Sequence, residues 1–137
     1  MRISSCCAPA PVPTEESEQA YIFEWAEWEK GKYPELALLH AIPNGGYRST
    51  KTAVMLKRTG VKPGVPDMFL PVARGTYHGL YIELKRSKGG RISDEQKQWI
   101  KALNDQGYAA TVCYGHEEAI QTLTNYLDLP KSKQIQK

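Results

Sequence analysis

The 137-residue sequence lacks any apolar run approaching the roughly 20 residues that a membrane-spanning helix needs. It also lacks the cysteines of a disulfide-stapled domain, because it has three cysteines and two of them, Cys6 and Cys7, are adjacent in the chain. Neighbouring cysteines rarely bond to each other, and no Cys-x-x-Cys pair is present to bind zinc. The sequence therefore predicts a protein of the cytoplasm, without a disulfide framework.

Positive charge is scarce at both ends of the chain and concentrated in its middle. Residues 1–44 carry 3 Lys or Arg against 7 Asp or Glu, residues 45–101 carry 12 against 4, and residues 102–137 carry 3 against 4. A basic segment of this kind favours an anionic partner, most often the phosphates of a nucleic acid. A solvated lysine-rich face would have the same composition, so the charge alone does not identify the partner.

The pattern of apolar and turn-forming residues predicts one domain over residues 14–128, with a disordered N-terminal arm (1–13) before it and a flexible tail (129–137) after it. The predicted elements are a helix over 14–30, a strand over 36–42, a basic helix over 49–58, strands over 67–72 and 80–85, a helix from Ser93 to just before Gly107, a strand over 108–114 and a helix over 116–127. This order is typical of an α/β fold in which helices flank a small mixed sheet.

Three charged residues are expected to meet on one face of that sheet. Glu83 and Lys85 project from the same face of their strand, and Asp67 begins the preceding strand. If these two strands pair as a hairpin, two carboxylates and an ammonium group converge. Carboxylates that close repel each other unless a cation lies between them, and Mg²⁺ or Mn²⁺ suits such oxygen ligands. An ordinary cross-strand ion-pair cluster would use the same residues.

The same residues carry a resemblance to a known family. The motif Gly-Val-Pro-Asp at 64–67, followed by Glu-Leu-Lys at 83–85, resembles the Pro-Asp…Asp/Glu-x-Lys signature of the restriction-endonuclease-like nucleases. The flanking motifs Ala-Ile-Pro-Asn-Gly-Gly at 41–46, Gly-Gly at 89–90 and Ser-x-x-Gln-x-x-Trp at 93–99 resemble the VRR-NUC branch of that superfamily. The similarity covers roughly residues 14–120, which is most of the chain.

The resemblance implies metal-dependent hydrolysis of DNA phosphodiester bonds and a restriction-endonuclease-like core. In such enzymes the acidic residues of the signature bind the ion, a role that falls here to Asp67 and Glu83. The backbone carbonyl of Leu84 would be a further ligand, and Lys85 would be the catalytic lysine that orients an attacking water and stabilises phosphoryl charge.

A glutamate of the first helix commonly completes the acidic cluster in this family. The choice here is Glu15 or Glu18, and Glu15 is preferred because Gln19 and the apolar stripe share its face of the helix. An acidic residue in a first helical turn also suits the helix dipole without binding any metal.

Further residues are candidates for contacts to the site or to the substrate. Gln96 could reach the metal site's water or the substrate, and it could also act as the capping-box partner of Ser93. The candidates for contacts to the DNA backbone are Asn44, Gly45, Gly46, Arg48, Lys51, Arg86, Lys88 and Arg91. A plain turn explains the glycines equally well. We assign no catalytic part to the isolated residues His40, His78 and His116.

The leading interpretation is a small stand-alone endonuclease that acts on DNA. Stand-alone members of the family it resembles are similar to junction resolvases, which are homodimers that cut branched DNA with two opposed sites. Flaps or simple duplex are alternative substrates. A DNA-binding module without catalysis is a second interpretation, although clustered carboxylates beside phosphate would hinder a pure binder. We expect a bacterial or phage-encoded protein that acts in the cytoplasm.

Overall fold

The computed structural model describes residues 11–43 and 49–132. Its helices are α1 (Glu15–Glu29), α2 (Thr50–Arg58), α3 (Asp94–Asp105) and α4 (His116–Leu127), and its strands are β1 (His40–Ala41), β2 (Met68–Leu70), β3 (Leu80–Lys85) and β4 (Ala109–Tyr114). The strands form one sheet in the order β1-β2-β3-β4, in which only the β3–β4 pair is parallel. The predicted α/β architecture with a small mixed sheet is thereby confirmed. Over these same residues, the structure has no helix of the length and apolarity that a bilayer crossing requires.

The hydrophobic core lies between one face of the sheet and the helices α1 and α4. Leu80, Ile82 and Leu84 of β3 are at most 2% exposed, and they belong to one cluster with Ile22 of α1 and Leu123 of α4. Because side chains alternate across a strand, the charged residues of β3 project from the opposite face of the sheet. The predicted alternation of this strand is confirmed, and it separates the core from the polar face.

Helices α1 and α4 are tied together by a buried carboxylate. Glu18 is 3% exposed, and it accepts a hydrogen bond from the backbone N–H of His116. The same carboxylate lies 2.7 Å from Nδ1 of the His116 ring. The N-cap of α4 is Gly115, which has no side chain to satisfy the first N–H groups of the helix, so Glu18 supplies that acceptor and its charge suits the helix dipole.

Two predicted strands differ from the observed structure, and proline explains both differences. The segment 36–42 is not one strand, because a 3₁₀ helix (Pro34–Leu38) precedes the two-residue strand β1. Pro34 occupies the first turn of that helix, where a missing N–H costs nothing and the fixed φ favours helical geometry. The strand predicted over 67–72 is shorter and ends as β2 at Leu70, since Pro71 has no N–H to donate to a ladder.

The predicted helix boundaries agree closely with the structure. Thr14 is the N-cap of α1 and its side chain accepts from the backbone N–H of Ser17. The basic helix predicted over 49–58 is α2, with Ser49 as its N-cap. Most of the predicted arm (1–10) and the end of the tail (133–137) lie outside the described residues. The described start of the tail contacts the body of the domain, because the carbonyl oxygen of Pro130 accepts from the N–H of Gly75 at 2.7 Å.

Candidate active site

One cavity of about 1050 Å³ lies beside the polar face of the sheet and gathers most of the predicted site residues. Its walls come from the first turns of α1, the end of β1, one face of α2, the loop over 61–64, the residue before β2, the end of β3 and the first turn of α3. The predicted residues that line it are Glu15, Asp67, Glu83, Lys85 and Gln96. The fold therefore brings together side chains that are as much as 81 positions apart in the chain.

The pairing of β2 with β3 places Asp67 against Glu83. Met68 pairs with Ile82 in an antiparallel register, so Asp67 stands opposite the next residue of β3. Oδ2 of Asp67 accepts a hydrogen bond of 2.7 Å from the backbone N–H of Leu84, which holds the carboxylate against β3. In an extended strand the N–H and C=O of one residue point to the same edge, and the Leu84 carbonyl therefore faces the Asp67 side.

Glu83 is the buried centre of the site, with 2% of its surface exposed. Its Oε1 lies 3.5 Å from Nζ of Lys85, whereas its Oε2 is buried and has no hydrogen-bond partner among the residues that the structure describes. The pKa of Glu83 is raised to about 8, first by burial and then by the nearby charge of Asp67, against the opposing effect of Lys85. A buried carboxyl oxygen without a partner is rare in native proteins and calls for a ligand or a counter-charge.

Gln96 forms the predicted capping box and also contacts Glu83, while its contact to a metal-site water or to the substrate stays a prediction. Its Oε1 accepts a hydrogen bond of 2.9 Å from the backbone N–H of Ser93, and Oγ of Ser93 accepts from the backbone N–H of Gln96 at 3.1 Å. The predicted capping box at the start of α3 is thereby confirmed. The amide Nε2 of Gln96 then donates to Oε1 of Glu83 at 2.7 Å. Because the cap fixes one end of the Gln96 amide, the other end orients the buried carboxylate.

Lys85 is held with its ammonium group between carboxylates. Its side chain is 10% exposed, and its Nζ lies 3.5 Å from Oε1 of Glu83 and 3.9 Å from Oε1 of Glu15. The loop after β3 packs directly on the stem of this lysine, since a Cβ at Gly90 would lie only 2.8 Å from Cβ of Lys85. The side chain therefore has little conformational freedom. A group that stabilises negative charge at a fixed position benefits from being held in place in this way.

The loop that leads into Asp67 is anchored on α3. Gly64 has a φ of +90°, and a Cβ at this position would lie 2.7 Å from the backbone of Glu95. Only glycine permits both that backbone conformation and that close approach. The contact fixes the loop before Asp67 relative to the N-terminal turn of α3, where Gln96 begins its contact to Glu83.

The structure places the two first-helix glutamates in different surroundings. Glu15 is half exposed and lines the cavity, whereas Glu18 is engaged with His116 on the α4 side. Metal binding by Glu15 stays a prediction. Across 11–43 and 49–132, no three His, Cys, Asp or Glu side chains gather closely enough to hold a metal ion. Metal binding by Asp67 and Glu83 likewise stays a prediction.

Only part of the predicted DNA-binding set lies in the described residues. Asn44, Gly45, Gly46 and Arg48 lie outside them. Lys51 is exposed on α2, and Lys88 is exposed in the loop after β3. Arg86 and Arg91 line a second cleft of about 560 Å³, which Glu15 borders as well. Basic side chains therefore lie next to the cavity on the side where β3 ends.

The sequence analysis missed two further lysines of the cavity wall, Lys57 and Lys62. Lys57 shares one face of α2 with Ala53 and Leu56, and all three line the cavity. The signal was present in the sequence, because residues 45–66 include no Asp or Glu. Leu56 and Lys57 follow Ala53 by three and four positions, and residues at this spacing share one face of a helix.

Comparisons with known proteins found similarity over most of the chain. The sequence profile of the VRR-NUC domain matches residues 11–117. A solved structure described as a VRR_NUC domain protein is similar to this chain with a TM-score of 0.78 and 31% sequence identity, over 93% of this chain and 98% of that chain. No curated protein matches the sequence. The span matched by the profile contains all the cavity residues named above.

Proposed function

Because the chain belongs to the VRR-NUC domain family, whose domains are of the nuclease type, we propose that it is a metal-dependent endonuclease that hydrolyses phosphodiester bonds in DNA. The observation that carries this proposal is the buried Oε2 of Glu83, which has no partner among the described residues and lies beside a second carboxylate. An ion-pair cluster that served stability alone would be expected to satisfy that oxygen.

A hard divalent cation fits the groups at this site. Asp67 directly precedes β2 and Glu83 lies on the neighbouring strand β3. Burial, followed by the charge of Asp67, raises the pKa of Glu83, and a cation between the two carboxylates would favour their ionised forms. Mg²⁺ or Mn²⁺ would be held by these two carboxylates, with the Leu84 carbonyl and Glu15 as further ligands. When bound, such an ion acidifies water and polarises a phosphoryl oxygen.

The side chains around the two carboxylates would perform the remaining tasks. The ammonium group of Lys85 would orient the attacking water and stabilise the negative charge that develops on the phosphoryl group. Gln96 would keep Oε1 of Glu83 in place through its 2.7 Å hydrogen bond. These contacts are partly shielded from solvent, and electrostatic stabilisation is stronger there than in water.

Branched DNA is the substrate that we propose, and a homodimer is the active form. Arg86 and Arg91 line the second cleft next to the cavity, and Lys88 is exposed in the same loop, so these basic side chains could contact phosphates on more than one strand. One chain offers one such cavity within its described residues, and a two-fold dimer would present two of them to opposed strands. Flaps and continuous duplex are the alternative substrates.

A panel of labelled DNA substrates tests the activity and its metal requirement. We expect cutting of four-way junctions or forks with Mg²⁺ or Mn²⁺, slower cutting of duplex, and no cutting in EDTA. Products would be followed on denaturing gels at equal enzyme concentrations. Cutting in EDTA would refute the metal dependence, and DNA binding without cutting in either metal would favour the non-catalytic binding module.

Light scattering in the absence of DNA tests the dimer. At micromolar concentration we expect about twice the mass of one chain, since a two-fold assembly is needed to present paired sites. A mass near that of a single chain over this concentration range would contradict the resolvase-like form and leave the nuclease assignment intact.

A further inference from the structure

Helix α2 has two faces, and only one of them borders the candidate active site. Ala53, Leu56 and Lys57 line the cavity. Val54 and Met55 point away from it, and they are 54% and 56% exposed. The outward face of α2 therefore carries two apolar side chains that are not buried against the rest of the described protein.

The apolar pair is framed by positive charge. Lys51 precedes Val54 by three positions and Arg58 follows Met55 by three, so these four residues form one stripe along the helix, which we call the outer stripe of α2. Both flanking residues are exposed. Since residues 45–66 include no Asp or Glu, no acidic side chain of this segment offsets the stripe. Exposed apolar residues rimmed by charge are typical of an interaction surface.

We propose that the outer stripe of α2 is a DNA wedge, in which Lys51 and Arg58 contact phosphates while Val54 and Met55 press against the bases at a branch point. The proposal rests on the proposed function, because it places this contact beside the DNA strand that the cavity would bind. Lys51 and Arg58 are seven residues apart, or about 10 Å along a helix. That length matches about three base steps of 3.4 Å, and in the proposed contact the apolar pair would lie between the two contacted phosphates.

Continuity with the cavity favours DNA as the occupant. Lys57 on the inner face of α2 lines the same cavity as Glu83 and Lys85, so a strand bound there passes directly beside the helix. The exposed face of α1 is a useful contrast, because Tyr21 and Trp28 on it are accompanied by Glu24 and Glu27. Acidic surroundings of that kind repel phosphate, whereas the surroundings of the outer stripe attract it.

A wedge of this kind discriminates between DNA structures. Apolar side chains such as Met can insert between base steps, and the cost of doing so is the stacking that they interrupt. At a branch point stacking is already interrupted, so Val54 and Met55 would gain contact with bases at a lower cost than in a continuous duplex. The outer stripe would therefore contribute to a preference for branched substrates.

The test measures base unstacking in EDTA, where cutting does not interfere. DNA forks with 2-aminopurine at the branch are titrated with the full-length protein, and we expect a several-fold rise in fluorescence. In the Val54→Ala/Met55→Ala double variant the rise should be lost, while affinity for duplex, measured by anisotropy, changes less than about twofold because Lys51 and Arg58 remain. Alanine favours the helix, so α2 is preserved. Leu38→Ala, at an apolar position that is 52% exposed and outside the cavity lining, is the matched control.

The possible outcomes distinguish failure of the wedge proposal from failure of the proposed nuclease function, and a DNA contact from a contact with a second copy of the chain. A fluorescence rise that survives in the double variant would overturn the wedge. A wild-type dimer that becomes a single chain in the double variant would also overturn it, and would assign the outer stripe to a second copy of this chain. Absence of cutting with Mg²⁺ or Mn²⁺ would count against the proposed function alone, because the fluorescence measurement needs no catalysis.

Discussion

Replacing Lys85 with methionine is expected to lower the rate of DNA cleavage by about 10³-fold, while DNA binding persists. Methionine keeps the apolar stem that packs on Gly90 and removes only the ammonium group, which lies 3.5 Å from Oε1 of Glu83. The rate of a single turnover on the preferred substrate, with Mg²⁺ in excess, measures the effect on chemistry. Anisotropy in EDTA measures the affinity separately.

The companion variant Asp67→Asn should have a loss of similar size. Its amide oxygen can still accept the hydrogen bond from the Leu84 N–H, so the change removes charge from the donor set and leaves the local geometry in place. The matched controls are Lys101→Met and Asp105→Asn, which make the same chemical changes in an exposed ion pair of 2.8 Å on α3. Cleavage that both cavity variants retain at the level of these controls would refute the assignment of the active site.

The parts of the site that could be predicted from sequence depend on local rules. The two-residue alternation of β3 places Glu83 and Lys85 on one face wherever the strand lies, and the Ser93–Gln96 spacing defines a helix start without any distant partner. The pairing of β2 with β3 follows from the short connection between them, because consecutive strands usually pair. Local pattern thus sufficed to bring Asp67 to Glu83.

The features that sequence could not predict depend on distant contacts. Glu15 and Glu18 share the first turns of one helix, and only the position of His116, 98 residues away from Glu18, distinguishes their surroundings. Trp28 is 87% exposed, because the packed face of α1 is centred on Ile22. The inward turn of Lys57 likewise depends on where α2 lies against the sheet.

Glu83→Gln is expected to abolish cleavage and at the same time to stabilise the metal-free protein at alkaline pH. The pKa of Glu83 is raised to about 8 in the folded protein, chiefly by burial, so the folded state keeps a proton that the unfolded state loses near pH 4.5. Between these two values the unfolded state binds fewer protons, and the stability of the wild type falls as the pH rises. Glutamine keeps an oxygen for the contact with Gln96 and has no charge to desolvate.

The unfolding midpoints of the wild type and of Glu83→Gln, measured across pH 5 to 9 in EDTA and in Mg²⁺ or Mn²⁺, test this prediction. At pH 5 the two proteins should have similar midpoints, and at pH 9 the variant should unfold roughly 5–10 °C higher. A divalent ion should raise the midpoint of the wild type more at pH 8 than at pH 6, since Glu83 must release its proton to bind the ion, and should raise that of the variant much less. Equal stabilisation of both proteins by the ion would place the ion elsewhere, and parallel pH profiles would show that Glu83 does not hold its proton. A loss of cleavage together with a gain in stability in Glu83→Gln would indicate that the buried carboxylate of Glu83 lowers the stability of the metal-free protein and serves to bind a cation.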